Sequence, residues 1–329
     1  MPVNADKTHL WKADVAKSVD HYNAWFLDFA PKAYRETRKH TTQSVEAALV
    51  TTNDLRDVSP AVLRESPKVL QILRMSTSPP IARDRLIGLA GVSSNLVSSM
   101  EDNGVLPPRI SQKQADRSLK AIGQMIVRLA DTDIFTWLGQ NKTPARSERY
   151  RAATIVADRL CGAVANPIIR NAQEARQLAV IKRWLEARKY RQIADCDRTA
   201  AEKMPAGTFC FRLNVPVYHK AGAHAETDAS GAREHVNIPI DVAVKPHKCK
   251  RQMPLLIEAK SAGDFTNTNK RRKEEAQKIT QLRKTYGPDV SFILFLCGYF
   301  DSGYLGYEAS EGIDWVWEHR IGDLAEFGL

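Results

Sequence analysis

Three residues late in the chain have the types and spacing that phosphodiester chemistry needs: Asp241, and Glu258 and Lys260 of a Glu-Ala-Lys run. Both stretches alternate like strands. HVNIPIDVAV (235–244) sends Val236, Ile238, Ile240, Val242 and Val244 to one face, and Asn237, Pro239, Asp241, Ala243 and then Lys245 to the other. PLLIEAK (254–260) sends Leu255, Ile257 and Ala259 one way and Leu256, Glu258 and Lys260 the other. The connection 246–253 is short enough for a hairpin. If it folds symmetrically about residues 249 and 250, opposed positions sum to 499, and Asp241 faces Glu258 with Cβ atoms about 4.5–5.5 Å apart. Lys260 shares that face.

Two carboxylates so placed repel each other unless a cation lies between them. Hard oxygen ligands favour Mg²⁺, which keeps several waters and binds phosphate oxygens; Mn²⁺ can substitute. Such an ion polarises a scissile phosphate and lowers the pKa of a coordinated water. The Lys260 ammonium can orient that water or stabilise the charge that builds on phosphorus. Ala259 can add only its main-chain carbonyl as a ligand. An acid followed at a loose distance by Glu-x-Lys arises by chance in many proteins. Here, however, the charged residues sit inside strands, where Asp, Glu and Lys are disfavoured, and alternation gathers all three on one face.

The elements around them fall into two parts. Residues 1–195 read mostly as helices, with apolar positions at helical spacing in 43–56, 60–75, 114–130 and 174–190. The most linker-like stretch is QNKTPARSERY (140–150). Beyond about residue 205 the period changes: strands over 209–219, 235–244 and 254–260, a basic helix over about 268–285, and a buried strand over 289–300. The expected class is α+β with an α/β core. A mostly helical part (1–150) precedes a part (151–329) holding a mixed sheet of at least four strands flanked by helices, in the order αβββαβ. Met125, Trp137, Trp184, Trp315 and Trp317 are read as packing residues.

Composition narrows the partner. The 329 residues are 43% hydrophobic and 26% charged, as in soluble globular proteins, and no run reaches the length of about 18 apolar residues needed to span a membrane. The N-terminus has no signal-type apolar core, so a cytoplasmic protein is expected. Five scattered cysteines without a CxxC argue against a disulfide framework or structural zinc site. The net charge of +10 suits a polyanion, and it is concentrated: residues 267–285 hold seven basic residues against two acids.

The region resembles the PD-(D/E)XK nuclease superfamily through Pro239-Ile240-Asp241 and Glu258-Ala259-Lys260 on the second and third strands of an αβββαβ core. Pro239 stands two residues before the Asp rather than next to it. GDFTNTNKRRKEEAQK (263–278), LFLCGYFDSGYLGYEASEGIDW (294–315) and RNAQEARQL (170–178) resemble the XamI-like type II restriction endonucleases. The resemblance covers most of 165–329. It implies Mg²⁺-dependent hydrolysis at a short palindromic duplex site, GTCGAC in that branch, leaving 5′-phosphate and 3′-hydroxyl ends. It also implies a homodimer and a companion methyltransferase in the host. Some superfamily members take a further ligand from the first core helix. Glu174 is the candidate, although a solvated helix carboxylate is the preferred reading of it.

Asn267, Asn269, Lys270, Arg271, Arg272 and Lys273 lie at or near a helix start just after Lys260, where basic side chains and helix amides suit phosphates. ARDRLIGLAGVSSNLVSSMEDNG (82–104) has a helix–turn–helix pattern that would expose Ser94, Asn95 and Ser98 to a groove. Ordinary helix packing is the preferred reading there. Three functions follow: a type II restriction endonuclease, a repair or structure-specific nuclease on the same core, and a non-enzymatic helix–turn–helix DNA-binding protein.

Overall fold

The computed structural model describes residues 2–329 except 141, 195–200, 219–234, 249–251 and 267, and gives the backbone but not the side chains of 163–166 and 269–272. The helices are α1 (Thr8–Thr51), α2 (Pro60–Glu65), α3 (Val69–Met75), α4 (Arg83–Ala90), α5 (Ser94–Ser98), α6 (Gln112–Leu129), α7 (Arg146–Ala187), α8 (Thr268–Tyr286) and α9 (Ser302–Ser310). The strands are β1 (Arg191–Gln192), β2 (Thr208–Tyr218), β3 (His235–Lys245), β4 (Leu255–Ala262), β5 (Phe292–Gly298) and β6 (Asp314–Trp317). The class is α+β, as the periodicity predicts. The four expected strands are present, and β1 and β6 extend the sheet beyond them.

The chain forms two compact units, one of residues 30–169 and one of residues 1–29 with 170–329. The division differs from a single cut near 150. The first helix contributes its opening turns to the sheet unit, where Ser18 Oγ accepts from the Gly298 amide at 2.8 Å and the Tyr22 hydroxyl accepts from Gln173 Nε2 at 2.6 Å. Linker-like composition at 140–150 could not reveal those long-range contacts. Pro31 and Pro167 lie inside the two long helices beside the division, and each removes one helical hydrogen bond.

The helical unit packs Leu49, Leu63, Leu70, Leu86 and Trp137 around the inner face of α6, where Leu119, Ile122 and Ile126 recur at helical spacing. Gly91 ends α4 in the left-handed region (φ 62°), and the Ser93 hydroxyl caps α5 by accepting from the Leu96 amide. The predicted second helix thus starts at Ser94. Ser94 and Asn95 are exposed, and Ser98 is half-buried.

In the sheet unit the strands lie in sequence order, β1 to β6. β2, β3 and β4 are antiparallel neighbours, while β4, β5 and β6 run parallel, with α8 and α9 as the crossovers. β5 is buried along its whole length, as its unbroken apolar run requires. One face packs on α8 and α9 through Leu256, Leu294, Leu296, Ile279, Leu282 and Leu305. The other packs on α7 through Val242, Ile257, Ile293, Phe295, Ile181 and Leu185. Trp315 and Trp317 are fully buried, as predicted.

Strict alternation fails at one level of the sheet. Phe209 and Phe211 of β2 pack on the α7 side, yet Leu213, Val215 and Val217, of the same parity, pack on the α8 side. On β3, Val242 and Val244 face α7, whereas Ile238 and Ile240 face α8. The single apolar face expected along β3 is therefore split, with Val236 exposed. The switch falls at Arg212, whose φ is 55°, opposite Asp241 in the register that pairs Phe211 with Val242 and Leu213 with Ile240. A left-handed residue rotates the peptide plane and exchanges the faces on either side. Arg212→Gly should therefore hold or raise stability to urea by up to about 1 kcal/mol, and Arg212→Val should lower it by about 1–2 kcal/mol. Equal midpoints for the three residues would rule out a left-handed backbone there.

Candidate active site

The β3–β4 ladder pairs Val242 with Ile257, Ala243 with Leu256 and Val244 with Leu255. Each pair sums to 499, the register that a symmetric hairpin predicts. Pairing stops one step before Asp241 and Glu258. Beyond Ile257 the second strand turns its edge to β5, with which it pairs from Leu256 to Ala262. At the split, Asp241 Oδ2 accepts from the Ala259 amide at 2.7 Å, so a side-chain carboxylate does what a strand carbonyl does elsewhere.

A cleft of about 690 Å³ opens there, lined by Asp241, Glu258, Ala259, Lys260 and Ser261 from the sheet, by Arg170, Gln173, Glu174 and Gln177 from α7, and by Glu274 from α8. The three predicted residues thus share one pocket. Lys260 Nζ lies 3.0 Å from Glu258 Oε1 and 3.1 Å from Glu275 Oε1 on α8. A second ammonium, Lys278 Nζ, lies 2.6 Å from Glu258 Oε1. Gln177 donates to the carbonyls of Lys260 (3.3 Å) and Phe295 (3.2 Å) and so ties β4 to β5 beside the cleft.

The electrostatics reflect crowding of like charge. Burial pushes the Asp241 carboxyl up to about 6, with the Glu258 charge adding to it and the Ala259 amide and Lys260 opposing it. Burial works against the Lys260 ammonium, but Glu258 and Glu275 outweigh it and hold the pKa above the ordinary lysine value. Glu258 Oε2 is buried with no hydrogen-bond partner among the described residues. A buried, unsatisfied carboxylate oxygen beside a carboxylate of raised pKa is the donor set of a hard divalent cation. The residues therefore fit Mg²⁺ or Mn²⁺.

Glu174 lines the same cleft, and its Oε1 accepts from Arg212 at 2.9 Å. Lys273 is exposed on α8, which starts at Thr268. Asn267 and the side chains of Asn269, Lys270, Arg271 and Arg272 lie outside the described residues. Another group, His21, Cys297 and Glu318, brings three metal-type ligands together. Arg176 already occupies it, donating to Glu318 Oε2 at 2.9 Å and to Cys297 Sγ at 3.2 Å. Burial and the Glu318 charge push the Cys297 thiol up to about 12, so the grouping reads as structural.

Net charge over 267–285 concealed Glu275 and Lys278. With Ile279 and Leu282 they fall at helical spacing on the inward side of α8, and that periodicity was the available signal. Arg170, Gln173, Glu174 and Gln177 likewise form one polar stripe on α7. No sequence signal marks the turned backbone at Arg212.

Comparison with known proteins gives the class first. The chain is 51% identical over 327 residues to the type II restriction enzyme SalI of Streptomyces albus G, covering 99% of each chain. The class is a type II restriction endonuclease. The XamI restriction endonuclease family matches residues 53–317, and the chain belongs to that family. No solved structure matches the chain. The readings as a repair nuclease or a non-enzymatic regulator give way to this membership. Among the described residues no single helix is long and apolar enough to cross a membrane.

The raised Asp241 pKa has a consequence for stability. A proton binds the folded state more tightly than the unfolded state between about pH 4 and 6, so stability falls as pH rises through that window. In EDTA, Asp241→Asn should remove that loss and gain on the order of 2 kcal/mol at pH 7.5 relative to pH 4, read by urea unfolding. A parallel pH dependence in both proteins would show that Asp241 is not the group responsible.

Proposed function

We propose that this chain hydrolyses phosphodiester bonds at a short palindromic duplex DNA site with Mg²⁺, and that Asp241, Glu258 and Lys260 carry the chemistry. The observation behind the assignment is the meeting of two carboxylates and an ammonium at the split between β3 and β4. Asp241 and Glu258 would hold the cation through carboxylate oxygens, and Ala259 through its main-chain carbonyl. Glu174 stands in the cleft wall as a further candidate ligand, at present paired with Arg212. When bound, the cation supplies Lewis-acid polarisation of the phosphate and a more acidic water.

Lys260, partly buried and held charged, directs its ammonium at the attacking water or at the charge developing on phosphorus. The water oxygen gives up a proton and forms the new bond to phosphorus, the bond to the 3′-oxygen breaks, and that oxygen takes up a proton. The ends are then 5′-phosphate and 3′-hydroxyl. GTCGAC, the site of the branch that the sequence resembles, is the proposed target. The start of α8, with Asn267, Asn269, Lys270, Arg271, Arg272 and Lys273, is the proposed phosphate contact. Ser94 and Asn95, exposed at the start of α5, are candidates for a groove contact. Two copies, one per strand, account for symmetric cutting of a palindrome. A cytoplasmic setting and a companion methyltransferase that is not a physical partner complete the proposal.

Digestion of a plasmid of known sequence with Mg²⁺ should give discrete bands with ends at GTCGAC. Asp241→Ala and Lys260→Ala should each lower cleavage by at least roughly 10²–10³-fold, while gel-shift affinity in Ca²⁺ stays within a few-fold. Wild-type cutting by either variant would overturn the site assignment. Discrete bands ending elsewhere would overturn only the recognition sequence.

A further inference from the structure

Two carboxylates flank the Lys260 ammonium, and they are not equivalent. Glu258 lies on the same strand, lines the cleft, and shares its Oε1 with a second ammonium, Lys278. Glu275 comes from α8, is fully buried and does not line the cleft. Among the described residues Lys260 is the cation within ion-pair distance of Glu275.

A buried acid on this face costs folding energy. Glu275 lies one and two turns before Ile279 and Leu282, which pack in the core between α8 and the sheet, and an apolar side chain there would extend that packing at no desolvation cost. The carboxylate must be offset by what it does for Lys260. Lys278, the other ammonium nearby, pairs with Glu258 and is not within ion-pair distance of Glu275. Glu308, nearby on α9, does not compete for Lys260: burial and the Glu275 charge push its carboxyl up to about 8, which leaves it mostly neutral at pH 7.

The division of labour follows from donor and charge counting. An ammonium has three N–H donors. One is directed at Glu258 Oε1 at 3.0 Å, while Glu275 Oε1 lies 3.1 Å away as an ion pair without hydrogen-bond geometry, so its hold on the ammonium is one of charge. On the reading of the site given above, Glu258 would share its charge with a cation through the unsatisfied Oε2, and its attraction for Lys260 at Oε1 would weaken. A second carboxylate that does not line the cleft would keep the ammonium in place. We propose that Glu275 is a positioning residue for the cleavage step, holding Lys260 through the 3.1 Å ion pair while Glu258 serves the metal. This rests on the nuclease reading of Lys260.

The test uses the full-length protein and a duplex carrying the cleaved site, with single-turnover rates at saturating Mg²⁺, gel-shift affinity in Ca²⁺ and urea unfolding. Glu275→Gln keeps the volume and removes the charge. It should slow cleavage by about 10–100-fold, the usual cost of losing a partner that orients an active-site group, with affinity within about twofold and an unfolding midpoint equal or higher. Glu275→Asp keeps the charge and should recover part of the rate. A merely structural Glu275 would instead lower the midpoint and the affinity together. That result, or a wild-type rate in Glu275→Gln, overturns the inference. If Asp241→Ala and Lys260→Ala are inactive in the same assay, the nuclease reading stands while the inference fails. If those two variants cut normally, the reading itself fails.

Discussion

One hydrogen bond, from the Ala259 amide to Asp241 Oδ2, closes the place where the sheet changes direction. β4 is antiparallel to β3 on one side and parallel to β5 on the other, and it pairs with β3 only as far as Ile257 but with β5 as far as Ala262. Past Ile257 it follows β5. The amide that faces the vacated edge needs an acceptor, since an unpaired buried N–H is costly. A carboxylate supplies it and still has a second oxygen. The residue that repairs the ladder is therefore placed, by that repair, at the head of a cleft.

The turned backbone at Arg212 belongs to the same arrangement. Arg212 stands opposite Asp241, and the facing of both strands changes at that level. Above it the β2–β3 hairpin packs toward α8, and below it toward α7. Left-handed backbone at a non-glycine residue costs on the order of 1–2 kcal/mol and tends to persist where function over-determines it. Here the Arg212 side chain reaches Glu174 in the cleft wall, so the turn carries a cation to the rim of an acid-lined pocket.

Much of this was legible in the sequence, because it depends on periodicity. The 499 register follows from hairpin symmetry, and the observed pairs obey it. Glu258 and Lys260 share a face with Leu256 because each lies two positions along the strand from the one before. The illegible parts depend on contacts remote in sequence. Nothing in FCFRLNV distinguishes Arg212, since apolar residues keep one parity on both sides while their surroundings exchange. The attachment of residues 1–29 to the sheet unit rests on bonds such as Asn4 Nδ2 to the Trp315 carbonyl, which span nearly the whole chain. β6 was missed because DWVW is four residues long, too short for a pattern, and is a strand because β5 offers it a free edge.

Charge distribution carries the argument one step further. The chain is basic overall, yet its cleft is lined by Asp241, Glu258, Glu174 and Glu274 against Arg170 and Lys260. A polyanion attracted by the net charge would be repelled by such a pocket. Lys278 and Arg212 moderate this by pairing with Glu258 and Glu174. Both pairs involve groups that a divalent cation would displace or neutralise, because the cation competes for the same carboxylate oxygens. The two basic side chains would then be freed as the acids are neutralised, so cation binding and phosphate binding would reinforce each other electrostatically. The same exchange puts Lys260 at risk of losing its own partner, and the fully buried Glu275, which does not line the cleft, is placed to prevent that loss.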